Sequence, residues 1–149
     1  MIKRVKLETI YKMAKEDNEK IKECKTFPDG WDEKVYDYYN KLSKDSYDVE
    51  MFMEFLSGDD SPLEMAYAYR RNLGVMFILS CADDSTLAFV DDENTTFYVV
   101  SKDKDGKYLD YEWNFLSNIS PIRCYGEDDN EPVPEWLIKE YEEQKNEKY

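Results

Sequence analysis

TLAFVDDENTTFYVVSKDKDGKYLDYEW, Thr86 to Trp113, decides how the chain folds. Three short runs, TLAFV, TTFYVVS and KYLDYEW, are rich in β-branched and aromatic residues, and polar clusters separate them. Such runs suit pleated, half-buried strands, and Asp-Lys-Asp-Gly between two of them is a hairpin cue. The last turn also carries a competing pattern. Counted from Ser101 to Glu112, acids stand at the third, fifth and twelfth positions and glycine at the sixth, as in a helix–loop–helix calcium site. The flanks decide against that reading. The turn lies between strands, its first position is Ser101, and Glu112 belongs to the following strand, too far along to close around an ion. No metal site and no cofactor is expected.

Working outward, VMFILSCA before this stretch reads as a further strand after Gly74, and Ile122 to Tyr125 as a fifth. The N-terminal half has helical periodicity. Ile2 to about Lys25 places Leu7, Ile10, Ala14, Ile21 and Cys24 along one side, and Phe27-Pro28-Asp29-Gly30 stops it. Two more helices are expected over Asp32 to Leu42 and from Ser46 to Leu56. Ser61-Pro62-Leu63-Glu64 has the residues of a capped start, and the helix it opens should end at Gly74. GEDDNEPVP is a linker, and Pro134 starts a last helix, Glu135 to about Lys145. The expected fold is α+β: N-terminal helices packed on a four- to five-stranded antiparallel meander, with one C-terminal helix. The whole forms one domain: 1–73 mainly helical, 74–125 sheet, 126–134 acidic linker and 135–149 C-terminal helix.

Composition narrows the chemistry. The 149 residues are 42% hydrophobic and 15% aromatic, enough for a core. No run of eighteen apolar residues and no signal-peptide pattern occurs, so a soluble cytoplasmic protein is expected. Cys24, Cys81 and Cys124 form no CxxC pair and read as buried free thiols. There is no histidine, which excludes Ser-His-Asp and Cys-His catalysis and histidine-bearing metal sites. Glu-x-Lys tripeptides at Glu23–Lys25 and Glu143–Lys145 sit in expected helices, without the partner strand a metal nuclease needs. No phosphate-binding or nucleophile-elbow motif occurs. The chain is therefore not expected to be an enzyme.

Charge points to a partner. The net charge is −14, and residues 1–25 carry eight Lys/Arg against five Asp/Glu, so the acidity lies beyond them. Self-repulsion on this scale disfavours nucleic acid and anionic membranes and favours basic proteins. The acids concentrate in turns: Asp83 and Asp84, Asp91, Asp92 and Glu93, Asp103 and Asp105, then Glu127, Asp128 and Asp129. In a meander the first and third turns share one end of the sheet and the second lies at the other. Thirteen tyrosines, several beside acids (Tyr36, Tyr38, Tyr39, Tyr108, Tyr111, Tyr125), add the makings of a rigid interface. These acids are the candidate partner-binding residues, standing where phosphates would sit on a basic nucleic-acid-handling protein, a nuclease or an RNA-guided effector. The settings that suit this are a phage-encoded anti-defence inhibitor, of anti-CRISPR or DNA-mimic type, and an immunity protein for a cognate nuclease toxin. The remaining alternative is a structural or regulatory subunit with an apolar patch on the C-terminal helix around Trp136, Leu137 and Tyr141, through which the chain would form a homodimer.

Overall fold

The computed structural model describes residues 2–22, 62–117 and 120–147. Along the chain these form β1 (Ile2–Val5), α1 (Leu7–Lys22), α2 (Pro62–Ser80), β2 (Leu87–Asp91), β3 (Thr96–Lys102), β4 (Tyr108–Asn114), β5 (Arg123–Tyr125) and α3 (Glu135–Gln144). The five strands make one sheet in the order β1-β2-β3-β4-β5, every neighbouring pair antiparallel. The α+β reading and the terminal helix hold. The helices expected over 32–42 and 46–56 lie outside the described residues.

Strand alternation sorts the core into two layers. Ala88, Phe97, Val99 and Trp113 point to one face and meet Ile10 and Ala14 of α1 with Val75 and Leu79 of α2. Leu87, Phe89, Tyr98 and Val100 point to the other and meet Val133, Leu137 and Tyr141. The sheet therefore lies between a helix pair and α3. Phe97 to Val100 are all buried, as a central strand covered on both faces requires. Phe97 and Trp113, opposite each other in register, stack at 6.0 Å, and Phe115 packs edge-on to both.

Two expectations are corrected. Helix α1 begins at Leu7, because Ile2–Val5 pair with β2 as a strand, Val5 facing Ala88 and Ile2 facing Asp91. The second correction is larger. VMFILS continues α2 to Ser80 and is not a strand. A strand would put Val75, Phe77 and Leu79 on one face; instead Val75 and Leu79, one helical turn apart, are buried while Phe77 is 71% exposed. Gly74 lies inside this helix and does not cap it. Its missing side chain admits Ile122, whose Cδ1 would stand 2.8 Å from a Cβ there.

A buried polar network joins the helix pair to the end of β4. Asn72, fully buried, donates through Nδ2 to Asn18 Oδ1 at 3.0 Å and to Asp17 Oδ2 at 2.6 Å. Arg71 donates to Asn72 Oδ1 from Nε and Nη2, to the Asn114 carbonyl at 2.8 Å and to the Ser117 carbonyl. Burial lowers the Arg71 pKa, and the charge of Asp17 acts against that shift.

Candidate functional site

One end of the sheet gathers most of the sequence-predicted acids. Leu87 faces Val100, Lys102 faces Tyr108 and Tyr125 faces Asp110. The loops at 81–86, 103–107 and 126–134 therefore leave the sheet together. Asp83, Asp84, Asp103, Asp105, Glu127, Asp128 and Asp129 are all exposed in them. The first of these loops joins a helix to a strand, where two strands were expected, yet it still reaches the shared end.

The loops are held by their own carboxylates. Asp83 Oδ1 accepts from Ser85 N at 2.9 Å and Ser85 Oγ at 2.5 Å, and these bonds lower its pKa, the hydroxyl first. Asp103 Oδ1 accepts from the amides of Asp105 and Lys107 at 2.9 and 2.8 Å, while the Gly106 amide closes on the Asp103 carbonyl at 3.1 Å. Gly106 takes φ +82°, which glycine tolerates best. The Asp103 carboxylate thus organises a hairpin, and Glu112, opposite Tyr98 in the ladder, stands apart from that turn. Asp128 Oδ1 accepts from Asn130 N at 3.0 Å, fixing the third loop. Far from a slack linker, this loop is packed: Gly126 and Val133 are buried.

Between the loops lies an open cavity of about 530 Å³ lined by Asp83, Asp103 and Glu127, by Lys102 and Lys107, and by Tyr108. Lys102 is not free to neutralise the acids. Its Nζ lies 3.1 Å from Glu142 Oε1 on α3, which also accepts from Tyr108 OH, and Lys145 Nζ holds Oε2 at 2.5 Å. These bonds, Lys145 first, hold the Glu142 pKa down at about 2.

Asp91, Asp92 and Glu93 lie at the opposite end, Asp91 closing β2 and the other two in the turn to β3. Lys3 of β1 pairs with Asp92 at 2.7 Å, and Asp91 accepts from Asn94 at 2.9 Å and the Glu93 amide at 3.0 Å. The structure therefore splits the ten candidate acids into a group of seven and a group of three, and the smaller one is already partly neutralised.

Two features escaped sequence reasoning. One is the Arg71 network. The other is Asp110, fully buried in β4, with neither carboxylate oxygen hydrogen-bonded. In YLDYEW, alternation puts Tyr108, Asp110 and Glu112 on one face, which reads as the solvent side. The packing of α3 on that face reverses the reading. Two further expectations change. Cys81, placed just past the end of α2, is an exposed free thiol, while Cys124 is half-buried. Of the three residues expected to form the α3 patch, Leu137 and Tyr141 are core and Trp136 alone is exposed, its ring still edge-on to Tyr98 at 5.3 Å. The exposed apolar side chains Leu73 and Phe77 belong to α2.

Among the described residues no three acidic or thiol side chains converge so as to hold a metal ion, and no helix is long and apolar enough to cross a membrane. The fold and site thus define a small α+β protein with one densely acidic sheet end. No family model, no curated protein and no solved structure matches the chain.

Proposed function

We propose that the protein is a non-catalytic, cytoplasmic inhibitor that docks its acidic sheet end on a basic nucleic-acid-handling protein and blocks it. The observation that carries this reading is the convergence of Asp83, Asp103 and Glu127 around one cavity, with Asp84, Asp105, Asp128 and Asp129 exposed in the same three loops. Loops braced by internal hydrogen bonds lose little freedom on docking, so their carboxylates meet arginine or lysine side chains at low entropic cost. The setting is anti-defence, of anti-CRISPR or DNA-mimic type, and a toxin-immunity role uses the same contacts. A second reading, a structural or regulatory subunit, rests on Leu73 and Phe77, the latter 71% exposed on α2.

The test is a pull-down against a panel of nucleases and RNA-guided effectors, across a salt series and with nucleic-acid competitor. Capture should weaken with salt and be competed by DNA or RNA. Reversing Asp83, Asp84, Asp103 and Asp105 to lysine should abolish it, while reversing Asp91, Asp92 and Glu93 should weaken it far less. Complexes indifferent to the first set but broken by Phe77→Ser would favour the subunit reading.

A further inference from the structure

The least accommodated group among the described residues is the Asp110 carboxyl. It is fully buried on the α3 face of the sheet, between Val100 on β3 and Tyr125 on β5, and nothing donates to either oxygen. A carboxylate in such a place is far more costly than a neutral acid, because the charged form loses its water without gaining a partner. We propose that Asp110 is held as a neutral acid, and that its ionisation lifts the segment from Gly126 through α3 off the sheet, making α3 a pH-responsive cover.

Among the described residues, none supplies a cation that stabilises the charge. On β4 itself, Glu112 faces the same side and adds negative charge. On β5, Arg123 stands opposite Glu112 and Tyr125 opposite Asp110. Burial raises the Glu112 pKa, while its interaction with Asp110 and the charge of Arg123 act against that shift. On β3, the Tyr98 phenol and Val100 complete the layer, and its phenol pKa rises to about 12 through burial, with contributions from Glu112, Asp91 and Asp110. On β2, Leu87 and Phe89 are apolar, with Asp91 at the strand's end. On β1, Arg4 is engaged by the carbonyls of Gln144 and Glu147. The covering segment contributes Val133, Leu137 and Tyr141 to the layer, while the charge of Glu142 is held by Lys102 and Lys145. Burial first, then the charge of Glu112, raises the Asp110 pKa.

Water can reach an ionised Asp110 by parting strands or by lifting the cover. Parting strands breaks ladder bonds on both sides of β4. The cover is a helix of ten residues, shorter than one that persists alone in water. It is seated on side chains of β2 and β3, and tied through Glu142 to Lys102 and Tyr108 and through the Gln144 and Glu147 carbonyls to Arg4. Lifting it is the easier route. Since the folded pKa lies above the unfolded value, the stabilisation is complete below about pH 4 and is lost as pH rises toward the folded pKa.

The experiment is amide hydrogen exchange on the full chain from pH 5 to 9.5, corrected for intrinsic rates, beside melting curves of the wild type and Asp110→Asn. Protection of the α3 amides should fall by up to about tenfold per pH unit, while α1, α2 and β3 keep theirs. In Asp110→Asn this slope should vanish, and the melting temperatures of the two proteins should diverge as pH rises. Infrared spectroscopy of the wild type at pH 7 should show one protonated carboxyl, a readout that survives if the variant misfolds. Parallel melting curves, absence of that carboxyl band, simultaneous opening of α3 with the helix pair, or opening of β5 alone would each overturn the proposal.

Discussion

Gly126 shows how much one residue can decide. It holds φ +98°, and a side chain there would collide with the Tyr108 carbonyl and press on Val133. The chain can turn back from β5 over the α3 face only because this position lacks a Cβ. Gly126→Ala should therefore cost at least ~2 kcal/mol, read as a lower melting temperature together with loss of α3 protection. Arg71 is decisive for a different reason. It serves two carbonyls, Asn114 and Ser117, and the Asn72 amide from inside the core. Arg71→Met would fill much of the space yet leave three acceptors unpaired, and should destabilise by about 3 kcal/mol in chemical denaturation. Neither role was visible in the sequence, where Gly126 looked like the start of a linker and nothing marked Arg71 out.

The elements divide into those whose periodicity is unambiguous and those where an apolar run serves two structures. β2, β3, β4 and α3 were legible because alternation, turn residues and Pro134 all agree. VMFILS was not, since six consecutive apolar or small residues satisfy a buried strand and a buried helix alike. What distinguishes them is that Gly74 must admit Ile122, a long-range contact. Among the candidate acids, sharing of a sheet end could be read from strand counting, whereas the burial of Asp110 required knowing that α3 covers its face. The attachment of α3 has its own acid limit. Glu142 is ionised down to about pH 2 while bound to Lys102, Tyr108 and Lys145, so its contribution is present above its unfolded pKa and is lost as pH falls toward 2. Glu142→Gln should reduce α3 protection at neutral pH and make it insensitive to acid between pH 5 and 2, measured by the same exchange experiment.

At the scale of the whole molecule, charge is arranged by the topology. The β3–β4 turn, the entry to β2 and the exit from β5 all fall at the same end, and placing acids in those three loops concentrates charge without a long sequence motif. The other end is moderated by Lys3 on Asp92. If the acidic end steers a basic partner, association rates should fall steeply with salt while dissociation changes little, a distinction stopped-flow mixing resolves. The sheet also has an unequal history along the chain. β2 to β5 pair in succession through short connections, whereas β1 pairs with β2 across α1, α2 and the residues between them. During synthesis β1 therefore has to wait for a partner made much later. Until β1 docks, β2 keeps an open edge, and that interval is when a newly made chain is most exposed to pairing with a neighbour.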